Sequence, residues 1–236
     1  MEAGKLSVVA TPIGNLGDMT FRGLWTLKEA DVIYAEDTRV ITKLLSHYGL
    51  RTAVLRLDAA TEAKKAAEVV ARLERGEHVA LVSDAGTPAI SDPGARLVAH
   101  VRRALPEAKI EALPGPSAIP AALSIAGIPA DSFLFLGFLP HKKGRQSALT
   151  RIAAMLEQDS PCGEVPVVLY ESPHRILKLL QELENVAPEA RVTLARELTK
   201  MHEEVLAGTP AELAASLKKG GKARGEFVVI LEPSGI

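Results

Sequence analysis

Short apolar runs alternate with longer amphipathic stretches through the first half of the chain. The runs are bounded by Gly, Pro, Asp, Ser and Thr and predict strands at residues 6–10, 32–35, 54–57, 79–82 and 109–113. Between them, apolar residues recur every three or four positions, as in an amphipathic helix. This alternation is typical of a mostly parallel sheet with helices on both faces, and it predicts the α/β class.

Capping residues mark where these helices are expected to begin. Asp37 or Thr38 is placed to cap the second helix. Ser91 or Asp92 is placed to cap the fourth, with Pro93 in its first turn, where a missing N–H costs little.

The second half of the chain has a different order of elements. Strands are predicted at residues 133–139, 166–170, 192–195 and 226–231, and helices at residues 121–126 and 146–157. A further helix is expected to be capped by Ser172 and started by Pro173, and residues 209–212 have the spacing of a capping box. We therefore predict two α/β domains, residues 1–118 with a mostly parallel sheet and residues 119–236 with a mixed sheet.

Composition narrows the class of protein. The 236 residues are 47% hydrophobic with a net charge of −1, so nucleic acid would have to be held by a local patch. The single cysteine, Cys162, excludes a disulfide framework and a Cys-based zinc site, and no histidine spacing indicates a metal. The chain shows no signal-peptide pattern and no apolar run approaching the ~20 residues of a membrane span. A cytoplasmic protein with no metal and no membrane contact is expected.

Polar residues cluster where the predicted strands end, at residues 11–18, 36–39, 83–94, 114–117, 171–175 and 196–200. Open α/β sheets bind ligands at this edge, so the clusters predict a shared ligand cleft, expected to lie between the two halves. The glycine patterns of dinucleotide and phosphate loops are absent, as is the Gly-x-Ser-x-Gly of hydrolases. Loops rich in backbone donors and poor in charge suit a nucleoside or an amino-acid-bearing cofactor.

Two charged segments allow more than one interpretation. The loop at residues 141–145 is either a solvated surface loop or a phosphate-contacting lid. The cluster at residues 36–39 is either a helix cap with a surface ion pair or a carboxylate and a guanidinium placed at the cleft.

Two motifs carry a resemblance to a known family. They are Asp-Ala-Gly-Thr-Pro-Ala-Ile-Ser-Asp-Pro-Gly at residues 84–94 and Tyr-Glu-Ser-Pro-His-Arg at residues 170–175. Further segments that match the same family lie at residues 10–18, 35–39, 113–118, 137–140, 195–200 and 225–228. The chain resembles the RsmI family of bacterial 16S ribosomal RNA cytidine-2′-O-methyltransferases, within the tetrapyrrole-methylase (class III) methyltransferases.

The resemblance implies S-adenosyl-L-methionine as cofactor, a cytidine near the decoding centre of 16S rRNA in the small ribosomal subunit as target, and a homodimer. By the family pattern, the cofactor would be bound by Thr11, Pro12, Gly14, Asp84, Ala85, Gly86, Thr87, Pro114, Ser117, Ala118, Tyr170, Glu171, Ala195, Arg196, Glu197 and Leu198. Longer family members carry a further C-terminal segment. If that segment helps to hold RNA, a chain ending at Ile236 is expected to hold RNA otherwise or to be trimmed.

Catalytic roles are assigned only by position at the strand ends. Either Asp37 or Glu171 is expected to accept the proton of the ribose hydroxyl, and either Arg39 or Arg175 to steer phosphate or stabilise the oxyanion. A second hypothesis assigns RNA contact to five basic residues, His141, Lys142, Lys143, Arg145 and Arg151. Two alternatives stay open: a small-molecule methyltransferase of the tetrapyrrole type, and a catalytically silent ribosome-assembly factor.

Overall fold

The computed structural model describes residues 3–157 and 165–233, and the chain divides into two compact units, Met1–Ser117 and Ala118–Ile236. The predicted domain boundary lies one residue beyond this division. Each unit holds one five-stranded sheet with helices, which confirms the predicted α/β class. Cys162 lies outside the described residues.

The first unit is a parallel sheet in the order β3-β2-β4-β1-β5. Its elements are β1 (Lys5–Val9), α1 (Phe21–Glu29), β2 (Val32–Ala35), α2 (Thr38–His47), β3 (Val54–Arg56), α3 (Glu62–Glu74), β4 (His78–Val82), α4 (Ala95–Ala104) and β5 (Lys109–Leu113). Because all pairings are parallel, the carboxyl ends of the five strands lie at one edge.

Side chains alternate across the sheet and build a core on each face. Ile33 packs with α1 and α2, whereas its neighbour Tyr34 packs with α3 and α4. Strands buried on both faces explain why the sequence shows continuous apolar runs here rather than a strict alternation of apolar and polar residues.

The start of α4 differs from the prediction. The helix begins after Gly94, whose φ is +131°, and no side chain of the preceding segment caps it. Ser91 has a φ of +63° in the left-handed region, and Asp92 and Pro93 precede the helix rather than capping or starting it. The predicted caps are therefore wrong.

The cap of α4 comes from another helix. The carboxylate of Glu62, at the start of α3, accepts hydrogen bonds from the backbone N–H groups of Gly94 at 2.9 Å and Leu97 at 3.0 Å. Glu62 is only 4% exposed, and its negative charge stands at the positive end of the α4 dipole. A buried side chain 32 residues upstream thus holds the segment that links β4 to α4.

The second unit is a mixed sheet in the order β6-β7-β10-β8-β9, in which β6 pairs with β7 in parallel and the other pairings are antiparallel. Its elements are α5 (Ala118–Ala126), β6 (Leu134–Phe138), α6 (Arg145–Leu156), β7 (Val167–Glu171), α7 (Ile176–Val186), β8 (Val192–Arg196), β9 (Glu204–Gly208), α8 (Pro210–Lys219) and β10 (Phe227–Leu231).

Three local expectations for this unit have different outcomes. The capping box is confirmed, since Thr209 N–H donates to the Glu212 carboxylate at 2.9 Å and Glu212 N–H to the Thr209 hydroxyl. The predicted start of α7 is wrong: Ser172 accepts the N–H groups of Arg175 and Ile176 through its carbonyl, and the helix begins at Ile176. The edge strand β9 was not predicted, because its five residues, Glu-Val-Leu-Ala-Gly, show only a weak strand pattern.

Among the described residues, no helix has both the length and the apolarity that crossing a bilayer requires.

Removing the Glu62 carboxylate tests its role as a cap. Glu62→Ala is expected to lower the free energy of unfolding by about 2–3 kcal/mol, because two buried N–H groups lose a charged acceptor. Glu62→Gln keeps one acceptor oxygen and is expected to lose less. Urea unfolding followed by circular dichroism measures both, and Glu74→Ala, at an exposed position near the other end of α3, is the matched control. Equal effects at positions 62 and 74 would contradict the assignment.

Candidate functional site

The loops after the two central strands of the first sheet are joined by backbone pairing. Thr11 N–H donates to the Gly86 carbonyl at 2.9 Å, and Gly86 N–H donates to the Thr11 carbonyl at 3.0 Å. The Thr11 hydroxyl donates to the Ser83 carbonyl at 3.1 Å, within a buried environment. The structure thus brings together Thr11 and Gly86, two of the residues that the family pattern assigns to the cofactor.

A third loop meets these two at Gly86. Its φ of +80° favours glycine, and a Cβ there would stand 3.3 Å from Ile13 Cγ2 and 3.6 Å from the Pro116 carbonyl oxygen. The Thr87 hydroxyl also donates to the Pro116 carbonyl, at 3.3 Å. Of the predicted cofactor residues, the first sheet therefore collects at one edge Thr11, Pro12, Gly14, Asp84, Ala85, Gly86, Thr87, Pro114 and Ser117.

A pocket of about 520 Å³ lies at the same edge, where β2, β3 and β4 end. It is lined by Glu36, Asp37, Thr38, Arg39, Arg56 and Asp84. The Asp84 carboxylate accepts the backbone N–H of Asp37 at 2.9 Å, which fixes the β2 loop to the β4 loop.

Asp37 and Arg39 form the helix cap and the surface ion pair of the first interpretation of their cluster. Asp37 caps α2 by accepting the backbone N–H of Arg39 at 2.9 Å, and its two oxygens also bind the Arg39 guanidinium, with Nη2 to Oδ2 at 2.5 Å. The guanidinium holds the pKa of the Asp37 carboxyl well below its usual range. The Arg39 side chain is nevertheless 84% exposed, so both groups also face the pocket.

Two more carboxyl groups belong to this edge and were not singled out as site residues from the sequence. Burial, together with the charges of Asp84 and Asp58, raises the pKa of Glu36. Burial, followed by the charges of Glu36 and Asp84, raises the pKa of Asp92 to about 6. The only sequence signal for either was its place beside a strand-end motif, because the mutual repulsion arises from the sheet order.

In the second unit, Glu171 stands in a buried ion network at the end of β7. Its side chain is fully buried, 3.2 Å from Arg175 Nε and 3.8 Å from Arg145 Nη2, and it accepts the N–H of Ser172 at 2.8 Å. Two arginines and a backbone donor therefore surround this carboxylate, which suits it to positioning the strand end.

The same arginines hold the basic loop at residues 141–145. Arg175 Nη2 donates to the Leu139 carbonyl at 2.5 Å, and Arg145 Nη1 donates to the Pro140 carbonyl at 3.2 Å. Arg145 also donates through Nε to Glu182 at 2.8 Å and is only 5% exposed. Its guanidinium is occupied inside the unit, so we remove Arg145 from the expected RNA contacts.

The other four basic residues assigned to RNA differ from Arg145, since His141, Lys142, Lys143 and Arg151 are all exposed. His141 Nε2 lies 3.4 Å from Arg175 Nη1, whereas the two lysines and Arg151 form no ion pair among the described residues. The loop therefore presents free positive charge on an anchored base.

The end of β8 is held by its own contacts. Arg196 Nε donates to the Arg224 carbonyl at 2.7 Å, and Glu197 accepts Lys200 Nζ at 2.8 Å and the Glu226 N–H at 3.0 Å. Ala195 and Leu198 are buried. Two of the predicted cofactor side chains in this segment are therefore engaged within the unit.

The remaining predicted cofactor residues also belong to the second unit. Ala118 opens α5, and the Tyr170 ring at the end of β7 packs edge-on against Phe135 with centroids 5.0 Å apart. Over the described ranges, no group of three or more His, Cys, Asp or Glu side chains is arranged to hold a metal ion.

Comparison with known proteins defines the class first. The sequence profile of the Tetrapyrrole (Corrin/Porphyrin) Methylases matches residues 5–214. The fold is similar to the solved methyltransferase CobJ, with a TM-score of 0.70 at 18% identity, covering 98% of this chain and 95% of that one. It is also similar to uroporphyrin-III C-methyl transferase from Thermus thermophilus complexed with S-adenyl homocysteine, with a TM-score of 0.62 at 18% identity and 97% coverage of each chain.

Curated relatives identify the branch. The chain is 44% identical to "Ribosomal RNA small subunit methyltransferase I" of Neisseria meningitidis serogroup B, over 98% of this chain and 77% of that protein. It is 40% identical to the protein of the same name from Thermotoga maritima, over 97% of this chain and 98% of that protein. The chain therefore belongs to the ribosomal RNA small subunit methyltransferase I family, which confirms the resemblance drawn from its motifs.

Asp92→Asn tests the crowding of carboxylates at this edge. Because the pKa of folded Asp92 lies above the ~3.9 of an unfolded aspartate, the folded protein holds more protons between about pH 4 and 6, and stability falls as pH rises through that interval. The variant is expected to lack this loss and to exceed the wild type by about 1–2 kcal/mol at pH 7, after screening. Urea unfolding at several pH values measures it, with Asp18→Asn, an exposed site, as control. Parallel pH curves for wild type and Asp92→Asn would disprove the assignment.

Proposed function

We propose that the protein transfers a methyl group from S-adenosyl-L-methionine to the ribose 2′-oxygen of a cytidine in 16S rRNA of the small ribosomal subunit. The observation that carries this proposal is the 44% identity, along 98% of the chain, to a relative named for methylation of small-subunit ribosomal RNA. A second support is the solved neighbour of the same fold that contains S-adenyl homocysteine, the demethylated form of this cofactor.

The loops of the first sheet fit such a cofactor. They contain a glycine in the left-handed region, they are held together by the Thr11 and Thr87 hydroxyls, and they lack the lysine of a phosphate loop. In the first unit, Thr11–Gly14, Asp84–Thr87 and Pro114–Ser117 would hold the cofactor. Ala118, Tyr170, Glu171 and residues 195–198 are assigned to the cofactor by the family pattern alone. The bound cofactor supplies the activated methyl group, so the chain mainly has to position the ribose and manage its proton.

Of the two expected bases, Asp37 is the better placed. It lines the pocket, whereas Glu171 is fully buried between Arg145 and Arg175. While Arg39 binds Asp37, the lowered pKa makes that carboxylate a weak base. Arg39 is 84% exposed and free to turn to an RNA phosphate, which would return the Asp37 pKa towards its ordinary value as the substrate arrives. Arg175 is assigned to holding Glu171 and the Leu139 carbonyl.

Asp37→Asn is expected to lower the single-turnover rate of methyl transfer at least 100-fold, because the amide cannot accept the proton. It keeps an oxygen that can cap α2, so cofactor affinity should stay within about twofold, as measured by calorimetry. Glu171→Gln serves as comparison and should act on stability more than on the chemical step. A wild-type rate in Asp37→Asn would remove this residue as the base, and a slow step in Glu171→Gln alone would transfer the role.

The exposed basic loop is proposed to contact RNA phosphates. Lys142→Glu with Lys143→Glu is expected to weaken RNA binding and to leave cofactor affinity unchanged. The slope of log Kd against log salt concentration should fall by the equivalent of roughly one to two phosphate contacts. Lys218→Glu with Lys219→Glu reverses the same charge at the end of α8 and is the matched control. An unchanged salt slope would remove the loop from the RNA interface.

The whole proposal is tested by incubating the protein with methyl-labelled S-adenosylmethionine and small ribosomal subunits from a strain that lacks the endogenous enzyme. Label at a cytidine 2′-oxygen of 16S rRNA supports the proposal. Label found only in an added porphyrinoid would favour a small-molecule methyltransferase, and no label in either would favour a silent assembly factor. The homodimer and the cytoplasmic location stay predictions.

A further inference from the structure

Helix α1 carries an exposed aromatic pair. Phe21 is 79% exposed and Trp25 63% exposed, and their spacing of four residues puts them on the same side of the helix. The opposite side, with Gly23, Thr26 and Leu27, is buried against the sheet. Trp25 is the only tryptophan in the sequence, and only 4% of the residues are aromatic. This scarce aromatic side chain is nevertheless exposed to solvent rather than buried in the core. Such exposed apolar surface indicates a binding surface.

This pair borders the loops of the candidate site. Thr20, the cap of α1, lies against the loop that follows β5: a Cβ at Gly115 would stand 3.6 Å from Thr20 Cγ2. Phe21 follows directly. Strand β1 leads to α1, and strand β2 leads to the pocket. Only β4 lies between these two strands in the sheet, so β1 and β2 are roughly 10 Å apart.

The charges around the pair favour RNA as the occupant. Arg22 is next to Phe21 and Lys28 is three residues beyond Trp25; both are exposed and form no ion pair among the described residues. The exposed Glu29 adds one negative charge on the same helix, so the two cations outnumber it. Single-stranded RNA is bound by aromatic side chains that stack on bases, with nearby cations that neutralise phosphates. A contact between two copies is the competing occupant, and the experiments below distinguish it from RNA.

We propose that Phe21 and Trp25 form a stacking platform for unpaired bases that flank the methylated nucleotide, with Arg22 contacting the adjacent phosphate. This inference rests on the proposed function and adds to it the single-stranded nature of the RNA beside the target. The platform holds RNA for the reaction and takes no part in the proton or methyl transfer.

Trp25 itself is the probe for the first experiment. Titrating the full chain with a short single-stranded RNA is expected to quench its fluorescence, and Phe21→Ala is expected to weaken Kd roughly tenfold. Phe133→Ala, at an aromatic position 41% exposed in the second unit, is the control and should leave Kd unchanged. The absence of quenching, or an equal loss in the control, would overturn the proposal.

The second experiment measures methyl transfer to small ribosomal subunits. Phe21→Ala with Trp25→Ala should raise KM roughly tenfold and leave kcat and cofactor affinity within about twofold, whereas Phe21→Tyr with Trp25→Phe should keep KM, because the rings remain. An unchanged KM in the alanine variant would overturn the platform. So would a change from dimer to monomer in sedimentation with RNA affinity retained, since the face would then be a contact between copies. Quenching without methyl transfer by the wild type would refute the proposed reaction and leave the platform standing.

Discussion

The candidate site depends on one pair of backbone hydrogen bonds, those between Thr11 and Gly86. They form an isolated antiparallel bridge just beyond the ends of β1 and β4, which themselves pair in parallel. Gly86 can make them because its backbone adopts a left-handed conformation with little room for a Cβ. The loop is held from its other end by the Glu62 carboxylate at Gly94. A segment of turn-forming residues thereby gains a defined shape through two distant contacts.

The charged side chains of this protein fall into two kinds: buried ones that form ion pairs and hold the fold, and exposed ones that face solvent. In the second unit, Glu171 keeps Arg145 and Arg175 at the base of the basic loop, while Lys142 and Lys143 lie at its surface with no ion pair in the part of the chain that the structure describes. Breaking a buried pair costs far more than changing an exposed charge, so the two groups respond differently to substitution. The net charge of −1 conceals this division, because free and occupied cations count equally in the sum.

Much of the fold could be predicted because its signals are local. The apolar runs located the strands of the first sheet to within a residue or two, and the spacing of Thr209 and Glu212, three residues apart, predicted their capping box. The prediction of the α4 cap failed because the true cap is distant in sequence: it is Glu62, on a different helix. The sequence placed Asp37 and Asp84 at strand ends, and their hydrogen bond supports a common edge. It could not show that Arg145 points inward, since burial of a guanidinium depends on Glu182, 37 residues away.

The contact between Glu197 and Gly225 has a consequence for how sequences of this fold can diverge. A Cβ at position 225 would lie 2.3 Å from Glu197 Cγ, and the φ of +87° at Gly225 also disfavours other residues. Glu197 in turn has a φ of +51° and is kept there by Lys200 and the Glu226 N–H. Gly225 cannot change alone without a collision, whereas losing Glu197 would leave Lys200 paired with Glu226. Descendants of this chain should therefore keep the glycine wherever they keep the glutamate.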